Sequence, residues 1–376
     1  MRKSQIHLFW DDGLRVKRFR TGVSLHSHTM RSQEKLGVVP RYANRLPFAG
    51  GLLALHQRRY RQRHGRDLDF SRAYWTPPSP EREALQIERG QIERVLGLDS
   101  MVSLTDHDTI DAPLHLRVLD EARDLPVSTE WSVPFSATTL HMGVHNLPAE
   151  EAHRWVSALN GYTRCPSPDV LADLLAALDE RQGVLVVLNH PTWDEEGVGR
   201  DLHMAAVRDF LSGYGLWVHA IEVNGLRPWT ENSTAIELAR AMNFPIVAGG
   251  DRHGLEPAAV LNLTNAASFE EFVSEVREDK ISDVLFMPHY RDPFRLRYME
   301  AIWDVLRDYD QYVGRTRWSD RCFFVADDGK HVPLSSLWNG NEPLALKFFL
   351  AAINLFGNRR LRSTLRSTLS GNEVTL

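Results

Sequence analysis

Histidines and acids recur along this chain where short apolar runs end. In order they read Ser24-Leu25-His26-Ser27-His28, Thr105-Asp106-His107-Asp108, Thr129-Glu130-Trp131, Leu140-His141-Met142-Gly143-Val144, Leu188-Asn189-His190-Pro191, Ile221-Glu222-Val223-Asn224 and Gly249-Gly250-Asp251-Arg252-His253. Imidazoles and carboxylates hold divalent cations, and two clusters, His26-x-His28 and Asp251-x-His253, place such groups two residues apart. On a strand that spacing sends both side chains to one face. Either pair alone is a weak signal, because a chain with 16 histidines produces a His-x-His by chance. Both pairs together with His107, His190 and Glu130 are not accounted for by isolated buried or surface histidines, and they point to a polynuclear metal site. Such a site points to an enzyme, since bound metals can lower the pKa of water from about 15.7 toward 7 and supply hydroxide as nucleophile.

The apolar runs must be the elements that position these groups. Strands are expected at 22–25, 101–105, 126–130, 138–144, 184–189, 218–223 and 245–248, and helices at 168–181, 205–211, 234–242 and 269–277. This alternation predicts parallel strands with helical crossovers, an α/β barrel or doubly wound sheet, whose strand ends share the face where sites are built. Residues 32–97 are too long for a simple crossover and read as an insertion. Within it we expect a helix at 52–63, a turn at Gly65, an irregular stretch through Pro77-Pro78-Ser79-Pro80, and a helix at 81–96. In that last helix Glu83, Leu85, Ile87 and Val95 make no clean apolar stripe. The rhythm ends after Pro288. Helices expected at 298–309 and 344–355 make residues 291–376 a mostly helical appendage to a body spanning 1–290. The Leu-Arg-Ser-Thr sequence at 361–364 and 365–368 is too short to be a structural repeat.

The 376 residues suffice for one large domain with an appendage, or two modest ones. With 43% hydrophobic and 25% charged residues the composition is that of a soluble globular protein. A formal charge of −5 gives no global attraction for nucleic acid. Only Cys165 and Cys322 are present, which excludes a disulfide framework and a thiolate zinc ribbon. The start, Met1-Arg2-Lys3-Ser4-Gln5-Ile6-His7, lacks the apolar core of a secretory signal, and no apolar run approaches the ~20 residues of a membrane span. The expectation is a soluble cytoplasmic protein with no membrane partner. The sequence is silent on oligomeric state.

The order and wording of the motifs resemble the PHP superfamily, named for its polymerase and histidinol phosphatase members. Leu25-His26-Ser27-His28-Thr29, Thr105-Asp106-His107-Asp108, Glu130 ahead of the His141 stretch, His190-Pro191 and Asp251-x-His253 follow the family's order over about residues 22–285. The resemblance implies a distorted (β/α)7 barrel of PHP type with two or three divalent ions. It puts His26, His28, Glu130 and Asp251 on a first ion. Glu130 would bridge to a second held by His141 and His190, and His107 and His253 would belong to a third. His145 rivals His141, and the wording of residues 140–144 favours His141. One departure stands out: the chain reads Met30-Arg31-Ser32-Gln33-Glu34, with Gln33 where the family carries an acid or histidine. The third ion therefore lacks a ligand unless Glu34 reaches in.

Mainly neutral imidazoles, with charge from Glu130 and Asp251 alone, would leave two or three divalent ions in a cationic pocket suited to phosphate. Mixed His and carboxylate ligation without Cys suits Mn, Zn or Fe over Mg or Ca. The expected activity is a phosphoesterase hydrolysing a small phosphorylated substrate, a phosphomonoester or nucleotide, by in-line attack of metal-activated hydroxide. His107, His253 and Asp108 would stand beside that hydroxide. Asp106 or Asp108 would orient His107, the alternative for Asp108 being a helix N-cap. Arg31, Arg227, Arg252 and Glu222 are the expected substrate contacts, with Asn224 either beside them or forming a turn. Thr192-Trp193 stand where nucleotide-acting relatives carry Arg. Trp131, Trp193 and Trp229 read as packing in preference to base stacking. The run Arg58-Arg59-Tyr60-Arg61-Gln62-Arg63, followed by Asp67 and Asp69, reads as a solvated helix face, with a lid over the site as the alternative. The competing functions are a non-catalytic scaffold, a nuclease and an amide or ester hydrolase.

Overall fold

The computed structural model describes residues 4–37, 40, 49–65, 67, 69–338, 347–348, 350–351 and 374. Its first seven strands are β1 (Gln5–Leu8), β2 (Thr21–Ser24), β3 (Glu34–Lys35), β4 (Ala73–Trp75), β5 (Asp99–Val102), β6 (Val127–Phe135) and β7 (Thr138–Leu147). The next seven are β8 (Leu185–Asn189), β9 (Ala220–Asn224), β10 (Ile246–Gly249), β11 (Val260–Thr264), β12 (Asp283–Phe286), β13 (Cys322–Val325) and β14 (His331–Pro333). One five-stranded sheet runs β1-β12-β11-β2-β5 and a second runs β10-β9-β8-β7-β6. A separate four-stranded antiparallel sheet has the order β14-β13-β4-β3.

β8 shows why the sequence builds these layers. Residues 185–188 are apolar on both faces, the pattern of a strand covered on each side. Alternation sends Val186 and Leu188 into a cluster with Met142, Val144 and Phe210, and Leu185 and Val187 into another with Val23, Val247 and Phe272. The helix Pro168–Asp179 begins with Pro at its first turn and buries Leu171, Leu175 and Leu178 on one stripe. Each such side chain contributes roughly 1.5–3 kcal/mol of burial. The helix Phe269–Arg277 starts at Ser268, whose side chain accepts the Glu271 N–H.

The expected strand-then-helix rhythm fails at 126–144. β6 and β7 form an antiparallel hairpin, turned at Ser136 with φ 55°, and β7 pairs antiparallel with β8. The sheets are therefore mixed α/β sheets, not uniformly parallel ones. Among the described residues no continuous ladder closes them into a barrel. The sheets meet through isolated parallel bridges, His107 with Glu130 and Ser27 with Arg252. Backbone bonds Asp108 N–H to Glu130 O (2.9 Å) and Asp251 N–H to His26 O (2.8 Å) lie beside them. Most ligand candidates thus sit where regular pairing stops, Glu130 and His141 lying instead within the β6–β7 ladder.

The insertion contains the expected helices, at Ala49–His64 and Glu81–Gln91, and the turn at Gly65. Arg58, Arg59 and Arg61 are exposed, as a solvated face requires. The missing apolar stripe of Glu81–Gln91 has a cause: its buried face carries Glu88, which bonds Arg252 Nε at 2.7 Å and Ser24 Oγ at 3.1 Å. The appendage holds the helix Phe294–Leu306 as expected and a short helix Leu334–Trp338, with the strands β13 and β14 between them. The helix expected at 344–355 and the 361–368 repeat lie largely outside the described residues. No described helix is long and apolar enough to cross a membrane.

Candidate metal centre

The turn out of β2 buries His26 and His28 side by side, with their Nε2 atoms 3.1 Å apart. Both face Glu130 in mid-β6. Its Oε2 lies 3.0 Å from His26 Nε2, 3.3 Å from His28 Nε2 and 3.3 Å from His107 Nε2. Its Oε1 lies 3.0 Å from His190 Nε2 and 3.6 Å from His141 Nδ1. Asp251 closes the far side, with Oδ1 3.5 Å from His28 Nε2 and 3.8 Å from His26 Nε2. His190 (φ 24°) and Asp251 (φ 51°) both occupy left-handed backbone, a conformation that costs ~1–3 kcal/mol per residue and concentrates at functional sites.

A second convergence surrounds Glu34. Its Oε2 is 3.3 Å from both His107 Nε2 and His253 Nε2, and its Oε1 is 3.6 Å from His28 Nδ1. Three groups can therefore each gather ligand atoms about a cation: His26, His28 and Glu130; His107, Glu130 and His141; and His28, Glu34, His107 and His253.

The donor set fits a cation on chemical grounds. His26 Nδ1 lies 3.0 Å from Glu222 Oε1, so it carries the proton and leaves the Nε2 lone pair facing Glu130 Oε2. That oxygen is buried without a hydrogen-bond partner among the described residues. A ring lone pair and a carboxylate oxygen at 3.0 Å repel unless a proton or cation lies between them. Burial opposes charge on His26, yet Glu130 and Glu222 outweigh it and raise its pKa well above the ordinary value. His107 follows the same logic: burial lowers its pKa, but Glu34 and Glu130 carry it up to about 10. Burial alone would raise the pKa values of Glu34, Glu130 and Asp251, but the surrounding imidazoles hold all three well below the usual carboxylate range. This is a pocket built to hold positive charge.

The expected ligands His26, His28, His107, Glu130, His141, His190, Asp251 and His253 all lie in this cluster. His145 does not belong to it: its Nδ1 meets Ser103 Oγ at 2.8 Å, and burial, with His26 nearby, lowers its pKa to about 3. Several other expectations are corrected. Asp108 Oδ1 accepts the Ser132 N–H and Asp106 accepts the N–H and Oγ–H of Thr29, so neither orients His107 and Asp108 is not an N-cap. Glu222 does not face the pocket opening, because its carboxylate is used by His26, the His190 N–H and Asn224. It rests on the bare Cα of Gly249, where a Cβ would fall 1.7 Å from Oε1. Arg252 is buried against Glu88 and the Gly254 carbonyl, and Arg31 pairs with Glu81.

Arg227 is where a substrate contact would be. Its Nη2 is 3.7 Å from Asp251 Oδ2, its guanidinium lies 3.9 Å over the Trp193 ring, and its buried Nε has no hydrogen-bond partner among the described residues. Trp131 and Trp229 are packing residues, as expected, against Tyr162 and Phe286. Sequence reasoning missed Glu195, whose Oε2 lies 3.2 Å from His141 Nε2, and Asn189, which donates to Glu130 Oε1 at 3.0 Å. The signal for Glu195 was an acidic run, Asp194-Glu195-Glu196, just past His190-Pro191. The expectation that Glu130 and Asp251 alone bring negative charge is likewise overturned, since Glu34, Glu195 and Glu222 share the cluster.

No protein-family model matches the chain, and no curated protein matches it. Among solved structures it is similar to PsfC from Pseudomonas syringae, at 20% identity and TM-score 0.40 over 59% of this chain and 88% of that one. A protein assigned as a metal-dependent phosphoesterase from Bifidobacterium adolescentis matches at 14% identity and TM-score 0.31, over 51% of this chain and 85% of that one. An amidohydrolase from Chromobacterium violaceum, with bound sulfate and no metal, matches at 14% identity and TM-score 0.34, over 61% and 87%. Overlaps of this extent assign neither a fold nor an activity to the chain.

Proposed function

We propose that this chain is a metal-dependent hydrolase of the PHP type that acts on a small phosphorylated substrate. The observation that carries this reading is three imidazole nitrogens within 3.3 Å of one orphaned Glu130 oxygen. The accompanying fold reading is a distorted seven-stranded barrel of β2 and β5–β10, its two seams bridged at His107–Glu130 and Ser27–Arg252. His26, His28, Glu130 and Asp251 would hold a first ion. Glu130, His141 and His190 would hold a second, and Glu34, His107 and His253 a third. Glu34 thereby takes the role that Gln33 cannot.

Divalent ions bound there supply Lewis acidity and an activated water at neutral pH, with Mn, Zn or Fe favoured by the ligand types. The chain's own residues do the rest. Glu222 fixes the tautomer of His26, and Glu195 stands in the same relation to His141. Arg227, its guanidinium 3.9 Å over the Trp193 ring, would offer its Nε to an anionic oxygen. Charge argues for phosphate only with three ions present: the five carboxylates Glu34, Glu130, Glu195, Glu222 and Asp251 offset two divalent ions completely, and three ions leave an excess that Arg227 increases.

Counting metals per chain after reconstitution with Mn, Zn or Fe, in wild type and Asp251→Ala, tests the reading. Two or three ions in wild type, fewer in the variant, and phosphate released from a panel of phosphomonoesters and nucleotides are the expected results. Wild type that stays metal-free sinks it and leaves the scaffold. Loaded enzyme that cleaves oligonucleotides and releases no phosphate makes it a nuclease.

A further inference from the structure

The third ligand group differs from the other two in what holds it in place. His28 and His107 follow β2 and β5 directly. Glu34 instead lies in β3, which pairs with β4, and β4 pairs with β13 from the far end of the chain. Residues 304–325 grip this region at several points. Arg315 Nη1 donates to Met30 O at 3.0 Å and to Thr76 Oγ1 at 3.2 Å, spanning the turn before Glu34 and the exit of β4. The Thr76 N–H donates to Arg321 O at 2.8 Å. The Trp75 ring lies 5.6 Å from the ring of His253. On the opposite side, Asp304 Oδ2 accepts the Leu255 N–H at 2.8 Å, two residues past His253, and packs so closely that a Cβ on Gly254 would lie 2.7 Å from it. Two of the four third-group residues, Glu34 and His253, therefore stand on segments braced by the C-terminal part of the chain.

We propose that residues 304–325, chiefly Arg315 and Asp304 with β13, are positioning elements for a third cation held by Glu34, His107 and His253. The barrel strands carry the ligands of the first two ions without them. This rests on reading the cluster as a metal centre. The physical ground is that a carboxylate on a two-residue strand has little local structure to fix it, whereas a cation needs its ligands fixed within a few tenths of an ångström. Ser32 transmits the bracing: its hydroxyl donates to Glu34 Oε1 at 2.6 Å and accepts the His107 N–H at 3.1 Å.

The test is metal stoichiometry and stepwise affinity, by elemental analysis and Mn or Zn titration of the full chain, for wild type, Glu34→Gln, Arg315→Ala, Arg315→Lys and Asp304→Asn. Wild type should bind three ions. Glu34→Gln and Arg315→Ala should lose the third ion or weaken it ~10–100-fold, with the first two unchanged. Arg315→Lys, which can still donate to Met30 O, should restore most of the loss. Should Arg315→Ala unfold, Asp304→Asn, which removes the carboxylate charge from the Leu255 N–H, carries the test, with a weakened third ion expected. Third-ion affinity equal to wild type in folded Arg315→Ala or Asp304→Asn overturns the proposal, as does a wild type that binds two ions only. A wild type that binds none instead fails the metal-centre reading itself.

Discussion

His26 and His219 are both buried histidines beside a carboxylate, one just after β2 and the other just before β9. At His219 the protein uses both ring nitrogens itself: Nδ1 accepts the Val186 N–H at 2.8 Å, and Nε2 meets Asp179 Oδ1 at 2.8 Å. His203 is similar, between Thr138 Oγ1 and the Pro191 carbonyl. At His26 only Nδ1 is used in this way, by Glu222, and Nε2 points at other ligand atoms. Burial and an acidic neighbour therefore do not separate a ligand histidine from a structural one. The direction of the second nitrogen does.

Removing the group toward which those nitrogens point should break the comparison most severely. In Glu130→Gln the amide keeps the shape but cannot serve both the ion of His26 and His28 and the ion of His141 and His190. We expect bound metal to fall to one ion per chain or fewer and hydrolysis to drop by at least ~10²–10³-fold, the scale of losing a central electrostatic element. Metal analysis beside a thermal melt separates this from unfolding. Retention of the full metal complement would show that the convergence on Glu130 is not what binds metal.

A smaller loss should follow from the partner behind the ring. Glu222→Gln leaves the His26 Nε2 in place but removes the carboxylate that fixes its tautomer, and such changes cost ~10–100-fold in metal affinity. Chelator competition on the first ion measures it. An unchanged affinity would mean that Glu222 serves only to hold the His190 N–H and Asn224, its other partners.

Much of this centre was legible in the amino-acid sequence, and the boundary is physical. The eight expected ligands gather in one cluster: His26, His28, His107, His190, Asp251 and His253 follow strand exits, as the sequence pattern led us to expect, whereas Glu130 and His141 lie mid-strand in the antiparallel β6–β7 hairpin. Glu222 and Arg252 were misplaced because sequence position gives the face of a strand and not the depth of a side chain: both sit beneath the ligands in contact with the framework. Glu195 was missed because it reaches His141 from a loop, where no periodicity applies. The β6–β7 hairpin and the β3-β4-β13-β14 sheet were missed for a related reason. The sheet's pairing partners lie far apart in sequence and leave no local signature, and β3 is only two residues long; the hairpin's partners are adjacent, but its two-residue turn, Ser136-Ala137, carries none of the Asn-Gly or Gly signals of such turns. The resolution of the Gln33 departure by Glu34 depends on that same unforeseen sheet.

The smallest effect belongs to the structural side of the comparison. In His219→Gln metal content and hydrolysis should stay at wild-type values, since neither nitrogen faces the cluster. Stability at pH 7 should fall by about 1–2 kcal/mol for the altered buried hydrogen bonds. The sharper signature is in pH. Burial lowers the His219 pKa more than Asp179 raises it, so folded His219 takes up its proton at lower pH than the unfolded chain, which does so near 6.5. The unfolded state then binds the extra proton, so this stability is full above pH 6.5 and is lost as pH falls below it, by at most ~1.4 kcal/mol per pH unit. Replacing His219 should remove that contribution, making urea-unfolding free energies of the variant fall less steeply than wild type between pH 6.5 and 5. Parallel acid limbs for the two proteins would show that His219 is protonated in the native fold, and that its two internal partners do not hold it neutral as the geometry implies.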